Sequence, residues 1–434
     1  MAAKNRNLKK VASSLTKAVL NRSLFINEFL TTSLPLFNCS QKSFITELVY
    51  GTVRNLEHMD FWILQAFKKP LKRIDEELLS IVRISLYQII FMSNREAPLI
   101  VNEATELAKT SCGDKGGKFV NFILREILRI NPSKENMEKN LKDDREKFLQ
   151  TYYSIPEWLY KKIEFFTGKE RLEPLLEVIN KPLGITLRIE GDEKTREKVI
   201  SHLISNGAEA EKAKDSPFGI YTTRAVNYDL VKGLEGVYIQ DESSQLAVLD
   251  MGIEKGDQIL DLCAAPGGKT LFCSFLTGEK GKVVSVDINR HRLSLLTETI
   301  LKHKKKNIEV KLHDSSTPKN EWNGQFDKVL VDAPCSALGT IRRHPEMKWL
   351  KKSCDSEKMA VLAGRILERA ANYVKQNGIL LFSVCTFTKE ETTEQIQKFI
   401  AAHKSFKIEK NYYTVSNVYD NRDIFFICKM RKVK

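Results

Sequence analysis

The 434-residue chain is 42% hydrophobic and 29% charged, with a formal net charge of +14. It is too long for one ordinary domain, and no apolar run reaches the ~18 residues needed to span a bilayer. The charge is uneven: +7 over residues 1–130, −1 over 131–240 and +8 over 241–434, two basic regions whose natural partner is an anionic polymer. The start is basic (Lys4, Arg6, Lys9, Lys10), and Ser13, Ser14, Thr16 and Lys17 interrupt the stretch that follows. It lacks the apolar core of a signal peptide, so a cytoplasmic location is expected. None of the eight cysteines forms a C-x-x-C pair or a zinc-type spacing. They are read as free thiols, most of them small buried residues, with no metal expected.

Residues 1–132 read as helical. Phe44, Leu48, Val49 and Thr52 share a helical face, as do Leu78, Leu79, Val82, Leu86, Ile89 and Ile90. Pro70 and Pro98 punctuate helices, Gly113, Gly116 and Gly117 predict a loop before a helix over 119–128, and Asn131-Pro132 predicts the end of the bundle. Residues 133–240 read as a small α/β linker module, with charged helices near 134–152 and 156–166, strands at 185–189, 219–221 and 236–239, and a helix over 195–206. From 241 to 434 strands alternate with helices. Strands are predicted at 258–261, 282–286, 308–312, 328–331, 379–382 and 424–428, and helices at 290–302 and 356–375. This alternation specifies a doubly wound, mainly parallel α/β sheet of Rossmann type.

The first of these strands runs into I-L-D-L-C-A-A-P-G-G-K-T (259–270), a strand ending in an acid, a small-residue loop and a helix start. Glycines there let a ligand approach the backbone closely. A phosphate-binding P-loop needs a glycine five positions before Gly268, where Cys263 stands, so the nucleotide-triphosphatase reading fails on spacing. Asp287 ends the second strand, placed for a ribose hydroxyl pair, and Asp314 lies just beyond the third, where an adenine edge could be met. Each lone Asp is more commonly a cap or turn residue; a glycine loop with acids at successive strand ends is the informative combination.

The fourth strand ends V-L-V-D-A-P-C-S, giving Asp332 and Cys335, and the fifth ends L-L-F-S-V-C-T-F, giving Cys385. If these strands are neighbours, both thiols and Asp332 meet beside the glycine loop. A thiolate adding to cytosine C6 raises electron density at C5, a carboxyl group can hold the ring, and a second group can take the C5 proton. Equivalent strand-end positions leave open which cysteine attacks, and either alone could be a core residue. The next segment, T-I-R-R-H-P-E-M-K-W (340–349), offers Arg342, Arg343, His344 and Lys348 to phosphates while a base is splayed into the pocket; the bland alternative is a solvated basic loop. Lys302–Lys306, at a helix end, reads as a water-facing charge run.

These segments resemble the RsmB (Sun/Fmu) group of RNA cytosine-C5 methyltransferases, in the NOL1/NOP2/Sun superfamily. The resemblance rests on 261–270, D-A-P-C-S (332–336), I-R-R-H-P-E-M-K-W (341–349), Q-D-E-S-S-Q (240–245) and D-I-F-F-I-C-K (423–429). F-I-T-E-L-V-Y-G-T-V-R (44–54), L-Y-Q-I-I-F (86–91), V-N-E-A-T-E-L-A-K (101–109) and F-V-N-F-I-L-R (119–125) look like the group's NusB-like RNA-binding domain. It implies S-adenosylmethionine held by Cys263, Ala264, Ala265, Pro266, Gly267, Gly268, Lys269, Asp287, Asp314 and Asp332. It also implies Cys385 as nucleophile, Cys335 in product release, and 16S ribosomal RNA as substrate; separately, a monomer is expected. The competing readings are the same chemistry on tRNA, or a non-catalytic RNA-binding assembly factor. The group usually has Thr before the nucleophile and Ser after it, where this chain has Val384 and Thr386. Ala337-Leu338-Gly339 replaces its usual continuation after Ser336.

Overall fold

A computed structural model describes residues 7–21, 25–27, 30, 34, 37–92, 96–222, 230–231, 233–415 and 420–433. The chain folds as two compact units, one of residues 1–181 with 343–352, the other of 182–342 with 353–434.

The first unit is helical. Its longer helices are Leu8–Leu20, Cys39–Arg54, Leu56–Phe67, Glu76–Phe91 and Ala97–Ile130, and four shorter ones follow between Lys134 and Ile179. Local signals set their starts: Asn38 closes a capping box with Gln41, and Asp75 accepts from the backbone of Glu77 and Leu78. Ile45, Leu48, Val49, Trp62, Ile81, Val82 and Leu86 fill the core. Phe44, Leu78, Ile89 and Ile90 of the expected faces are only half-buried. The loop expected at Gly113–Gly117 is a single break instead: Gly113 leaves helical geometry (φ 76°), while Gly116 and Gly117 lie inside the continuing helix. The helices at 134–179 pack within the helical unit.

The same unit takes in the distant segment 343–352, and this changes the reading of Lys348. Its side chain is buried, and its ammonium donates to the Arg54 carbonyl (2.9 Å), the Ser154 carbonyl (3.0 Å) and Asn180 Oδ1 (2.7 Å). Beside it Trp349 Nε1 donates to the Val53 carbonyl at 2.7 Å. Burial holds the Lys348 amine well below its ordinary pKa. The expected phosphate contact is therefore corrected: this cation is consumed inside the helical unit.

In the second unit, β1 (Thr186–Ile189), β2 (Ala210–Lys212), β3 (Gly219–Thr222) and β4 (Val237–Ile239) form an antiparallel sheet in the order β2-β3-β1-β4. Then come β5 (Gln258–Asp261), β6 (Lys282–Asp287), β7 (Ile308–Leu312), β8 (Phe326–Asp332), β9 (Val374–Val384), β10 (Phe406–Tyr413) and β11 (Phe426–Lys432), ordered β10-β11-β9-β8-β5-β6-β7. The run β9-β8-β5-β6-β7 is parallel, and β11 and β10 add antiparallel edges. Apolar side chains cover both faces: Val329, Val331, Phe382 and Val384 on one, Ile259, Leu330, Leu381 and Ile427 on the other. This is the doubly wound fold expected from the sequence. Strand order reverses between β5 and β8, so the ligand crevice of such a sheet falls where Asp261 and Asp332 end their strands.

If Lys348 is an internal pin, Lys348→Ala removes the donor that serves the Arg54 carbonyl, the Ser154 carbonyl and Asn180 Oδ1. It should destabilise the protein by about 2–5 kcal/mol in denaturant unfolding. A wild-type midpoint would return this lysine to a surface role.

Candidate active site

The loop after β5 enters the helix Gly268–Thr277 through Gly267, whose φ of 108° is left-handed. A Cβ at Gly267 would stand 2.2 Å from Leu296 Cδ1, so any side chain there must displace Leu296 as well as adopt a left-handed backbone. Ala264 is buried against the helix Arg290–Lys302, Ala265 is also buried, Cys263 and Gly268 are half-buried, and Pro266 is exposed. Ala264 N–H donates to the Val286 carbonyl (2.9 Å), and Ala265 N–H to Asp287 Oδ2 (3.2 Å). Asp287 Oδ1 also accepts from Asn289 N–H at 2.9 Å, and Arg292 approaches the Asp287 carboxylate and the Ala265 carbonyl. Asp314 accepts from Ser316 through both its hydroxyl and its N–H, which holds its carboxyl below the usual range.

Asp261, at the end of β5, is buried. Thr270 Oγ1 donates to its Oδ2 at 2.7 Å, while Oδ1 has no hydrogen-bond partner. Burial, reinforced by the Asp332 charge and opposed by the Thr270 hydrogen bond, pushes its pKa up to about 7. Carboxylates at four successive strand ends form an acceptor-rich rim, one of them with an orphaned buried oxygen. That set fits a ligand rich in N–H and O–H donors, as S-adenosylmethionine is.

Asp332 is fixed from two sides. Lys269 Nζ donates to its Oδ2 and Ser383 Oγ to its Oδ1, both at 2.7 Å. Burial works against the Lys269 charge, but the Asp332 carboxylate outweighs it and keeps the ammonium above its ordinary pKa. Because β8 and β9 are parallel neighbours with Asp332 opposite Ser383, the loops leaving them run side by side. Cys335 Sγ and Cys385 Sγ are 3.3 Å apart and both are half-buried. The Cys335 thiol, burial and the Asp332 charge all push the Cys385 thiol well above its ordinary pKa, with Lys269 pulling the other way.

The structure thus brings together Lys269, Asp332, Cys335 and Cys385, with Asp287 and Asp314 at neighbouring strand ends. It draws the basic segment into packing instead of leaving it solvated. Arg342 donates to the Asp420 carbonyl at 3.0 Å, His344 lies 3.4 Å from Glu346, and Arg343 is half-buried. The thiols also differ from expectation, since only Cys273 and Cys428 are fully buried while Cys39, Cys112 and Cys354 are exposed. Val384 is buried in the core cluster with Phe382, against which Cys335 also packs, whereas Cys385 packs against the opposite face of the sheet. The sequence reading passed over Ser383 and the buried Glu391. The latter has a visible signal: a carboxylate six positions after Cys385 in a hydroxyl-rich run. Among the described residues there is no cluster of three or more potential metal ligands, and no helix is long and apolar enough to cross a membrane.

Comparisons with known proteins accord with this arrangement. A family model described as 16S rRNA methyltransferase RsmB/F matches residues 248–429, the NusB family matches 6–129, and a ferredoxin-like domain of RsmF/B-like methyltransferases matches 155–229. The chain is 34% identical over 413 residues to the probable ribosomal RNA small subunit methyltransferase B of Bacillus subtilis, covering 90% of each chain. It is 30% identical over 427 residues to ribosomal RNA small subunit methyltransferase B of Proteus mirabilis, covering 97% of each. Among solved structures, PH0851 shares the fold over 99% of both chains (TM-score 0.78, 22% identity). NSun6 from Pyrococcus horikoshii shares it over 64% of this chain and 98% of its own (TM-score 0.55, 20% identity).

The Gly267 geometry yields a direct check. Gly267→Ala should lower stability by about 1–3 kcal/mol through the contact with Leu296 and the left-handed backbone. The readout is a shifted denaturant midpoint at constant slope, and an unshifted one would mean that the helix carrying Leu296 yields.

Proposed function

Because the chain belongs to the RsmB family of 16S ribosomal RNA methyltransferases, we propose that it methylates carbon 5 of a cytosine through a covalent Cys385–C6 adduct. The observation that carries this reading is the pair of sulfurs 3.3 Å apart beside Asp332. Attack on C6 and removal of the C5 proton need two groups at one ring edge. A single buried thiol could supply only one of them.

In this mechanism the Cys385 thiolate forms an S–C6 bond, and the C5–C6 π electrons move to make C5 nucleophilic. Asp332, oriented by Lys269 and Ser383, faces N3 and the exocyclic amine and steadies the charge on the ring. The 263–269 loop with Asp287, Asp314 and Asp332 would hold S-adenosylmethionine, which would supply the methyl group to C5 and leave as S-adenosylhomocysteine. Cys335 then receives the C5 proton, the electrons of the C–H bond restore C5–C6, and the S–C6 bond breaks to free Cys385. Substrate contacts are assigned to the helical segment to residue 132, the module over 133–240, and Arg342, Arg343 and His344. The chemistry is assigned to 241–434.

Incubation with labelled S-adenosylmethionine and 16S rRNA, followed by bisulfite mapping, should place the label on C5 of a cytosine; label elsewhere, or none, refutes the reading. Cys385→Ala should abolish methylation and the adduct with 5-fluorocytosine RNA. Cys335→Ala should accumulate adduct with native RNA, and an exchange of the two phenotypes would reverse the roles. The sign of the pH dependence also follows. Only the thiolate attacks, and the Cys385 pKa is raised in the free protein. The ratio kcat/KM should therefore climb from pH ~7 through ~9, up to tenfold per unit; a plateau already reached at pH ~7 would contradict it.

A further inference from the structure

Glu391 lies in the short 3₁₀ turn Lys389–Glu391 beyond β9 and is completely buried. Its carboxylate gathers donors from both cysteine-bearing loops. Ser336 N–H donates to Oε1 and Ser336 Oγ to Oε2, each at 2.6 Å. Thr388 Oγ1 donates to Oε2 at 2.7 Å, and Thr386 Oγ1 lies 3.3 Å from the same oxygen and 2.9 Å from Ser336 Oγ. Ser336 directly follows Cys335 and Thr386 directly follows Cys385. One side chain therefore ties together the backbones that carry the two sulfurs.

A second brace joins the same loops: Gly339 N–H donates to the Cys385 carbonyl (2.9 Å), and Ile424 N–H donates to the Gly339 carbonyl (3.0 Å). A Cβ at Gly339 would stand 1.9 Å from the Ile424 carbonyl oxygen. That brace fixes the course of the Cys335 loop. The Glu391 clamp fixes its register against Cys385.

We propose that Glu391 is a positioning residue that sets the Cys335–Cys385 sulfur gap, and so governs the chemical step while leaving RNA and cofactor affinity alone. The proposal rests on the two-cysteine reading above. A buried carboxylate is an expensive way to fill space, and among the described residues no cation forms an ion pair with Glu391. Burial pushes its pKa up, and the hydroxyls and N–H around it oppose that rise. What the carboxylate provides and an amide does not is acceptance at both oxygens. Four donors from two loops can then converge on one rigid group. Displacements of the order of an ångström at reacting atoms slow chemistry by as much as ~100-fold.

The test uses the full-length protein carrying Glu391→Gln, which keeps the volume but turns an NH₂ toward donors. The single-turnover methylation rate should fall about 10- to 100-fold, with KM for RNA and for S-adenosylmethionine within about twofold of wild type. Phenylarsine oxide, which bridges two neighbouring thiols, should bind more weakly, and this arm reads the sulfur gap without any RNA chemistry. An unchanged rate and arsenical affinity overturn the proposal. So does a rate lost in parallel with RNA affinity and melting temperature, the mark of a merely structural residue. If Glu391→Gln does not fold, Ser336→Ala, which removes one donor, replaces it under the same criteria. If Cys335→Ala with native Glu391 gives no adduct, the cysteine assignment fails; the arsenical arm then still decides the clamp.

Discussion

The parallel pairing of β8 with β9 is the constraint on which the rest of the site depends. Asp332 sits opposite Ser383, and a slip of one residue would move the buried Ser383 hydroxyl to the face that Phe382 and Val384 occupy and Val384 toward the carboxylate. Core packing holds that register: Val331, Phe382 and Val384 lie in one buried cluster, Leu330 and Leu381 in the other. The hydrophobic effect thus aligns the two loops that carry Cys335 and Cys385. The polar contacts among Lys269, Asp332 and Ser383 refine a geometry the core has already imposed.

The site also shows how opposing electrostatic effects are balanced. Lys269 and Asp332 form a half-buried pair in which each offsets the other's desolvation. At Asp261 burial outweighs the Thr270 hydrogen bond and the Lys269 charge, and the pKa is pushed up to about 7. The Cys385 thiol feels Asp332 and Lys269 with opposite signs. A change in either charge therefore moves this thiol's pKa in a direction fixed by its sign.

Much of this was legible in the sequence where local pattern and burial agree. The strands at 258–261 and 308–312 and the helix over 290–302 begin and end where their periodicity predicts. The fold class and family followed from motifs that fix chemistry to strand ends. β10 was missed because F-K-I-E-K-N-Y-Y is mostly exposed at an edge and owes its extended form to pairing with β11, a tertiary cause that local pattern does not carry. Three glycines predicted a loop, yet only Gly113 leaves the helix, since packing sustains helical geometry at Gly116 and Gly117. Lys348 was misread for a related reason. Four basic residues in a row of ten look like a polyanion contact, and nothing local shows that the acceptors for one of them come from residues 54, 154 and 180.

The split composition of the helical unit has a consequence for how the protein is made. Residues 1–181 leave the ribosome first, but the plug at 343–352 that satisfies Arg54, Ser154 and Asn180 is synthesised some 160 residues later. During that interval the nascent helical unit lacks the Lys348 and Trp349 donors that it holds in the complete chain. It gains them only when translation has also delivered β5 to β8 of the second unit. Vectorial synthesis therefore couples completion of the two units: the N-terminal helices reach their final packing only in a chain that already contains both the glycine loop and Cys335.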